Sequence, residues 1–326
     1  MVECTVMTWN VENFFPSGTP SGPPTKAVYT RKLQRLAATI SAVNPDVLAM
    51  QEVGGPQPLA DLQAALEGKY PNSAISLHPD GRGIRVALLA RRALTDVRQL
   101  HDFTSDALPN IPTADGQAVG SLGRGALHAV VRLTGNRRLR IVTAHLKSKL
   151  LSYPDGRRFP LDEHERARGA GFALIRRSAE AVALRVYLNN LMTGDATPTV
   201  LVGDLNDEPH AVTTELLQGP PDGAPDRPDS GDDVRLNNLA DWLPRKHQFS
   251  RLFEGSPELI DHILVSQDLL RSLRQVDALV DDITSINRGR RLTQTLQDPR
   301  PRPHVRALRP ALTRNTRPAR ADFWYY

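Results

Sequence analysis

Five apolar runs in this sequence stop on residues able to do ligand or acid–base chemistry. MTW leads into Asn10 and, two residues later, Glu12; VLAM leads into Gln51 and Glu52; IVTA leads into His145 and then Lys147; VLVG leads into Asp204 and Asn206; ELI leads into Asp261 and His262. Singly, each has an ordinary explanation. An Asp or Asn after a strand commonly forms the turn. Glu52 could be a solvated loop acid, and His145 a satisfied core histidine. Asp261 is different, because an acid inside an apolar run is costly unless something compensates it. His262 should face the opposite side of its strand from Asp261. Taken together, the strand ends would gather carboxylates, amides and an imidazole on rigid supports.

That set suits a hard cation and a phosphate. Mg²⁺ prefers carboxylate oxygen and water and takes only one or two protein carboxylates. A phosphate ester gains charge as it reacts, and a cation, an amide donor or a protonated histidine can stabilise that charge. A further carboxylate or histidine can take a proton from water.

The elements that must carry these groups are legible as patterns. Apolar runs predict strands over residues 2–10, 46–53, 85–90, 126–133, 139–145, 198–206 and 258–266. Helical spacing predicts helices over 26–43, 58–66 and 163–191, the last with Phe172, Ile175, Ala179, Val182 and Val186 as its apolar stripe. Gly169 and Gly171 weaken the helical pattern of the third without ending it. Loops are expected at 16–24, 105–123, 151–162 and 219–233, where Pro, Gly, Asp and Ser gather. Paired strands with helices between groups predict an α/β sandwich, and the absence of strict βαβ alternation argues against a barrel. Neither GxxxxGK nor GxGxxG occurs, which removes the common nucleotide-binding loops.

Composition narrows the classes further. No window carries the apolar length of a membrane helix, and the N-terminus lacks the pattern of a signal peptide. Cys4 is the sole cysteine, so neither an intrachain disulfide nor a cysteine-based zinc cluster can form, and a buried thiol in a cytoplasmic monomer is expected. The net charge of +5 comes from one end. Residues 287–326 hold ten arginines, no lysine and two aspartates, leaving 31 basic and 34 acidic groups before them. The basic balance therefore says nothing about the surface around the strand ends.

The segments TWNVENF, MQEV, TAHLKSK, VGDLNDEP and ELIDHILVS, in this order over about residues 3–266, resemble the endonuclease/exonuclease/phosphatase superfamily of exonuclease III-like and DNase I-like enzymes. The resemblance implies a four-layer α/β sandwich of two packed mixed β-sheets flanked by helices, and Mg²⁺- or Mn²⁺-dependent hydrolysis of phosphate esters. It implies Glu52 as main metal ligand with Glu12 as a second acid near the metal. Asn10 would orient phosphate and ligands, His145 would contact the scissile phosphate, and Asp204 would position or deprotonate water. Asn206 would bind phosphate beside it, and Asp261 would support the metal or a histidine. Arg124 stands where relatives place a site-facing arginine. Lys147, beside His145, is a local phosphate contact on its position alone. A phosphodiester is the expected substrate and nucleic acid a candidate one. The loops at 105–123 and 151–165 are expected to set specificity.

The sequence departs from the family at its end. Relatives finish with a strand that begins Ser-Asp-His, whereas no Asp-His follows Asp261-His262 here and the only later histidine is His304, after Pro303. Residues 1–286 thus read as the catalytic domain and 287–326 as an Arg/Pro-rich, disordered tail. The tail is either a basic extension that binds nucleic acid or the product of a change of frame near residue 287; the abrupt shift in composition favours the second. Without the final strand a sheet edge is expected to stand open and activity to be reduced. A catalytically impaired protein that binds an anionic partner through the basic tail is the competing expectation.

Overall fold

A computed structural model describes residues 2–104, 107–108, 111–112, 116, 118–151, 153, 157, 159–219, 234–280, 285–286 and 321–325. Two large mixed sheets pack face to face. The first runs β16-β1-β2-β4-β3, with β1 at Val2–Phe14, β2 at Val47–Val53, β3 at Asn72–Ile75, β4 at Arg85–Ala90 and β16 at Ala321–Tyr325. The second runs β11-β14-β10-β9-β8-β5. Its strands are β5 (Leu94–Asp102), β8 (Ser121–Arg132), β9 (Arg138–His145), β10 (Thr199–Asp204), β11 (Leu236–Asn238) and β14 (Asp261–Ser266). Two short ribbons complete the strands: β6 (Ile111–Pro112) with β7 (Ala118–Val119), and β12 (Arg251–Phe253) between β13 (Ser256–Glu258) and β15 (Ser285–Ile286).

Alternation along the strands builds three apolar layers. Cys4, Val6, Val47 and Ala49 face Leu127, Ile141, Val200 and Val202 between the sheets. Met7, Trp9, Leu48 and Met50 face outward and meet Leu36, Ile40 and Leu62, from α1 (Lys26–Val43) and α2 (Pro56–Ala65). On the far side Val142, Leu201 and Leu264 meet Leu184, Leu188 and Leu217, from α3 (Glu163–Gly194) and α4 (Val212–Gln218). The order helix, sheet, sheet, helix is the four-layer sandwich expected. The short α5 (Gln267–Ser272) follows β14. Among the described residues no helix is long and apolar enough to cross a membrane.

Helix ends follow their chemistry. The Thr25 hydroxyl caps α1 by accepting from the Val28 amide, and Asn44 closes it in the left-handed region at φ 59° before Pro45. Asp162 caps α3 through the Glu165 amide, with Glu163 and Glu165 in the positive first turn. The helix predicted over 163–191 is present, and α3 runs unbroken through Gly169 and Gly171. Gly169 lies against Tyr153, where a Cβ would stand 3.2 Å from the ring. The buried face of α3 differs from the expected stripe. Ala173, Ala181, Leu184 and Leu188 are buried together with Arg177, Glu180 and Arg185, while Ile175 is exposed.

The open edge expected on the first sheet is paired. Ala321–Tyr325 lies antiparallel to β1, from Val2 opposite Tyr325 to Val6 opposite Ala321. Residues 287–320, including His304, lie outside the described residues. So do all of residues 220–233 and parts of the loops over 105–117 and 152–158.

Every strand that carries a candidate group ends at the same edge of the sandwich. In the first sheet, parallel β1 and β2 set Asn10 opposite Gln51. In the second, Asp204 is the register partner of His145 on one side and Asp261 on the other. Gly203 makes this approach possible: its φ is 146°, and a Cβ there would stand 1.9 Å from the Ala144 carbonyl oxygen. We expect Gly203→Ala to force β9 and β10 apart, lowering the melting temperature and displacing Asp204. Calorimetry checks the first and hydrolysis the second; a variant as stable as the parent would remove the steric argument.

Candidate active site

At the site the two sheets are tied by the side chain of Asn10. The Asn10 amide donates to Glu52 Oε1 at 3.2 Å and to Asp204 Oδ2 at 2.8 Å. A strand end of the first sheet thus holds one carboxylate from its own sheet and one from the other. Asp204 Oδ2 also stands 3.4 Å from His145 Nε2, and Asp204 Oδ1 accepts from the Asn206 amide at 3.0 Å. The Asn206 side chain donates to the Leu146 carbonyl at 2.9 Å, which uses one of its two N–H groups. Asn10, His145, Asp204, Asn206 and Asp261 are all buried, whereas Glu52 and Glu12 are half-buried at the rim. Below them Gln51 reaches Thr8 and Thr143, a second polar bridge between the sheets.

Local backbone strain marks the same place. Glu12, Asn13, Glu52 and Asn206 all have φ between 47° and 65°, a region unfavourable to side chains and frequent at functional sites. The bend at the end of β1 wraps round the acids: Glu12 N–H donates to Asn10 Oδ1 at 3.0 Å, and Asn13 N–H to Glu52 Oε2 at 2.8 Å. The ammonium of Lys32, from α1, donates to the Glu12 carbonyl.

A ring of buried charges supports the loop after His145. Glu180 on α3 accepts from the Lys147 amide at 2.6 Å and from the Gly123 amide at 3.0 Å. Arg177 donates to the Lys147 carbonyl at 3.2 Å and to Asp207 at 3.0 Å. Asp207 also accepts from Thr213 at 2.7 Å. His262 lies on the far face of its strand, as alternation requires. It bridges Asn238 and the Asp207 carbonyl, and burial pulls its pKa down to about 4, so it is neutral.

Two of the expected substrate ligands point elsewhere. The Arg124 guanidinium is buried and donates to Asp80 at 3.1 Å and to the Leu146 carbonyl at 2.7 Å, so it fixes backbone beside the site. The Lys147 ammonium folds onto the carbonyls of Ser148 and Leu150. Burial, and then the Arg124 charge, pull its pKa down to about 8. Sequence reasoning passed over Lys32, Arg177 and Glu180. Their only signal is a charge placed within the packed face of a helix.

The donor set fits a hard divalent cation. Glu52 and Asp204 converge on one amide, and two carboxylates with water are the kind of oxygen ligands that Mg²⁺ or Mn²⁺ would take. Among the described residues, no group of three or more His, Cys, Asp or Glu side chains is placed to hold a metal ion by itself.

Asp261 differs from its neighbours. It faces the inter-sheet space in register with Asp204, its backbone N–H donates to the Ser250 hydroxyl at 3.2 Å, and it lines a cavity with Thr8, Asp277 and Ala278. Burial, opposed by the Ser250 bond and the Arg251 charge and reinforced by Glu52, raises its pKa to about 7. An acid with a raised folded-state pKa contributes stability in full below its unfolded value, and loses it as pH rises through the folded one. We therefore expect Asp261→Asn to gain thermal stability relative to the parent between about pH 4 and about pH 7, because there the unfolded parent ionises while the folded one keeps its proton. Melting curves across that range check this; a difference that stays flat with pH would show that Asp261 ionises normally.

The comparisons with known proteins match this fold. The chain resembles the human Nocturnin catalytic domain with bound sulfate anion at 16% identity and TM-score 0.53, over 99% of this chain and 95% of that one. It resembles an endonuclease/exonuclease/phosphatase from Beutenbergia cavernae at 18% identity and TM-score 0.55, over 86% and 68%. It also resembles the mannosyl-6-phosphatase of Bacteroides thetaiotaomicron at 14% identity and TM-score 0.56, over 89% and 93%. At these identities the likeness is one of fold. No curated protein sequence matches the chain. The profile of the Endonuclease/Exonuclease/phosphatase family matches residues 7–298, and the chain belongs to that family.

Proposed function

We propose that this protein hydrolyses phosphate esters with the help of a divalent cation, acting on a phosphodiester in the manner of a nuclease or phosphodiesterase. The observation that carries the reading is the Asn10 amide, which gathers Glu52 and Asp204 from two sheets beside His145. The names of two structurally similar proteins point the same way. One is a mannosyl-6-phosphatase, and the other was seen with sulfate, a tetrahedral dianion of phosphate shape.

In this reading residues 1–286 form the catalytic unit, and Glu52 holds the cation with Glu12 beside it. The bound cation supplies positive charge to the phosphoryl oxygens as they gain negative charge. The remaining chemistry belongs to side chains. Asp204 is fixed by Asn10, His145 and the Asn206 amide, so its carboxylate is aimed before substrate arrives and can orient water or accept its proton. His145, held against Asp204, can donate to a phosphoryl oxygen in its protonated form. The second N–H of Asn206 is available in kind for the same oxygen cluster. Asp261 in its neutral form adds no further negative charge to a site that must receive an anion. Lys147 could reach substrate only by giving up its carbonyl partners. A reducing compartment is in keeping with a single buried thiol at Cys4. Nucleic acid would be the partner of the ten arginines in residues 287–326 only in the reading where that tail is a native extension.

A chromogenic phosphodiester, bis(p-nitrophenyl) phosphate, assayed against the monoester with and without chelator, tests the reading. Turnover of the diester that vanishes on chelation and returns with Mg²⁺ or Mn²⁺ is expected; hydrolysis indifferent to chelator would overturn it. Glu52→Gln should lower the rate at least about a hundredfold at limiting Mg²⁺, with recovery at high metal. Asp204→Asn should lower the rate by roughly 10²–10⁴-fold at every metal concentration, because an amide keeps the shape but cannot accept a proton. A collapse of metal binding in Asp204→Asn would instead make Asp204 a ligand.

A further inference from the structure

The loop after His145 carries two lysines, and they stand differently. Lys147 folds its ammonium onto carbonyls of its own loop. Lys149 reaches across to two other loops, where its ammonium lies 3.7 Å from Asp207 Oδ1 and 3.8 Å from Glu258 Oε1. Both loops carry groups of the candidate site. Asp207 directly follows Asn206, and Glu258 lies three residues before Asp261. The Leu205 amide donates to the Ile260 carbonyl at 2.9 Å and the Leu259 amide to Glu208 at 3.2 Å, so the loops that Lys149 spans are bound to each other. With one peptide step between Asp207 and Asn206, the ammonium stands on the order of 10 Å from the Asn206 backbone.

Lys149 is loosely held there. Neither contact is short enough for a hydrogen bond, and each carboxylate has a closer partner. Asp207 accepts from Arg177 at 3.0 Å and from Thr213 at 2.7 Å, and Glu258 accepts from Arg251 at 2.5 Å. The Lys149 side chain is 39% exposed. Exposed ion pairs of this kind contribute little to stability. An anion arriving at this corner can therefore draw the ammonium over while both carboxylates keep their closer cations. Lysine suits that task, because it offers phosphate a compact charge on a flexible stem.

We propose that Lys149 binds a second phosphate of the substrate, one removed from the phosphate that is cleaved, and so selects a phosphodiester chain, as in an oligonucleotide, over an isolated diester. The inference rests on the hydrolytic reading given under the proposed function. It moves to Lys149 the phosphate contact that sequence position alone assigned to Lys147.

The experiment uses the full chain and matched substrates: a thymidine dinucleotide with its single internal phosphate, and the same dinucleotide with a further phosphate at either end. One of the added phosphates should raise kcat/KM for the parent, mainly through KM. Lys149→Met should cut that preference about tenfold, the size of one charge-assisted contact, and Lys149→Arg should keep it. Glu258→Gln removes a competitor for the ammonium and should widen the preference, but not in the double variant with Lys149→Met. Equal losses on plain and phosphorylated dinucleotide would make Lys149 a brace between loops and overturn the proposal, as would a preference that Lys149→Met leaves intact. A gain from Glu258→Gln that survives in the double variant would assign the phosphate to Arg251 and overturn it too. If no dinucleotide is hydrolysed, the hydrolytic reading fails, and calorimetric binding of oligothymidylate decides Lys149 separately. Lys149→Met should then bind more weakly, with a salt dependence lower by about one counterion. Identical binding by parent and variant, or none by the parent, would overturn the proposal.

Discussion

The arrangement of the site depends on the shared amide of Asn10. A side-chain amide has two N–H groups, and here both go to carboxylates that arrive on different sheets. The relative placement of Glu52 and Asp204 is therefore not left to the packing of two sheets alone. The apolar layer between the sheets brings the strand ends within reach, and the amide fixes the last ångström. Hydrogen bonds to ionised partners are the stronger kind, and these are sheltered from water on the Asp204 side. His145, Asn206 and the bend at Glu12 take their positions from this bridge and from the strands beneath it.

A second tier of polar contacts holds the loop that follows His145. Glu180 grips the Lys147 and Gly123 amides, and Arg177 grips the Lys147 carbonyl and Asp207. Each charge is buried, and each is matched by backbone or an opposite charge, which is the condition for a charged group to be tolerated there. The helix α3 thus does more than cover the second sheet. It supplies the fixed points against which the ends of β8, β9 and β10 are set.

Much of this was legible in the sequence, and the exceptions share a cause. Runs such as VLVGD and IVTAH read as strands because their residues are buried on both faces, and their polar ends announced the site. The span 26–43 read as a helix because Leu36, Ala37 and Ile40 recur at helical spacing. The alternation that sent His262 away from Asp261 was also readable. By contrast, β3 and β5 carry few buried apolar residues and left no signal. The buried face of α3 was misread because Arg177, Glu180 and Arg185 look like solvated residues in a pattern search, and their partners are visible only in three dimensions. Lys32 was hidden for the same reason. Arg124 was read as aimed at substrate, yet Asp80, some forty residues away in sequence, draws it aside.

The strand Ala321–Tyr325 bears on how this protein is made. It pairs with Val2–Val6, so the two partners are separated by on the order of 300 residues of chain, the kind of contact that forms slowly. During synthesis β1 must leave the ribosome long before its outer neighbour exists. For that interval the strand that carries Asn10 presents an unpaired edge, the feature most prone to wrong pairing between chains. A nascent chain of this design gains from a chaperone, or from slow collapse around α1, until the far strand arrives. The same lag makes completion of the first sheet wait for residues 321–325, long after its other strands have been made.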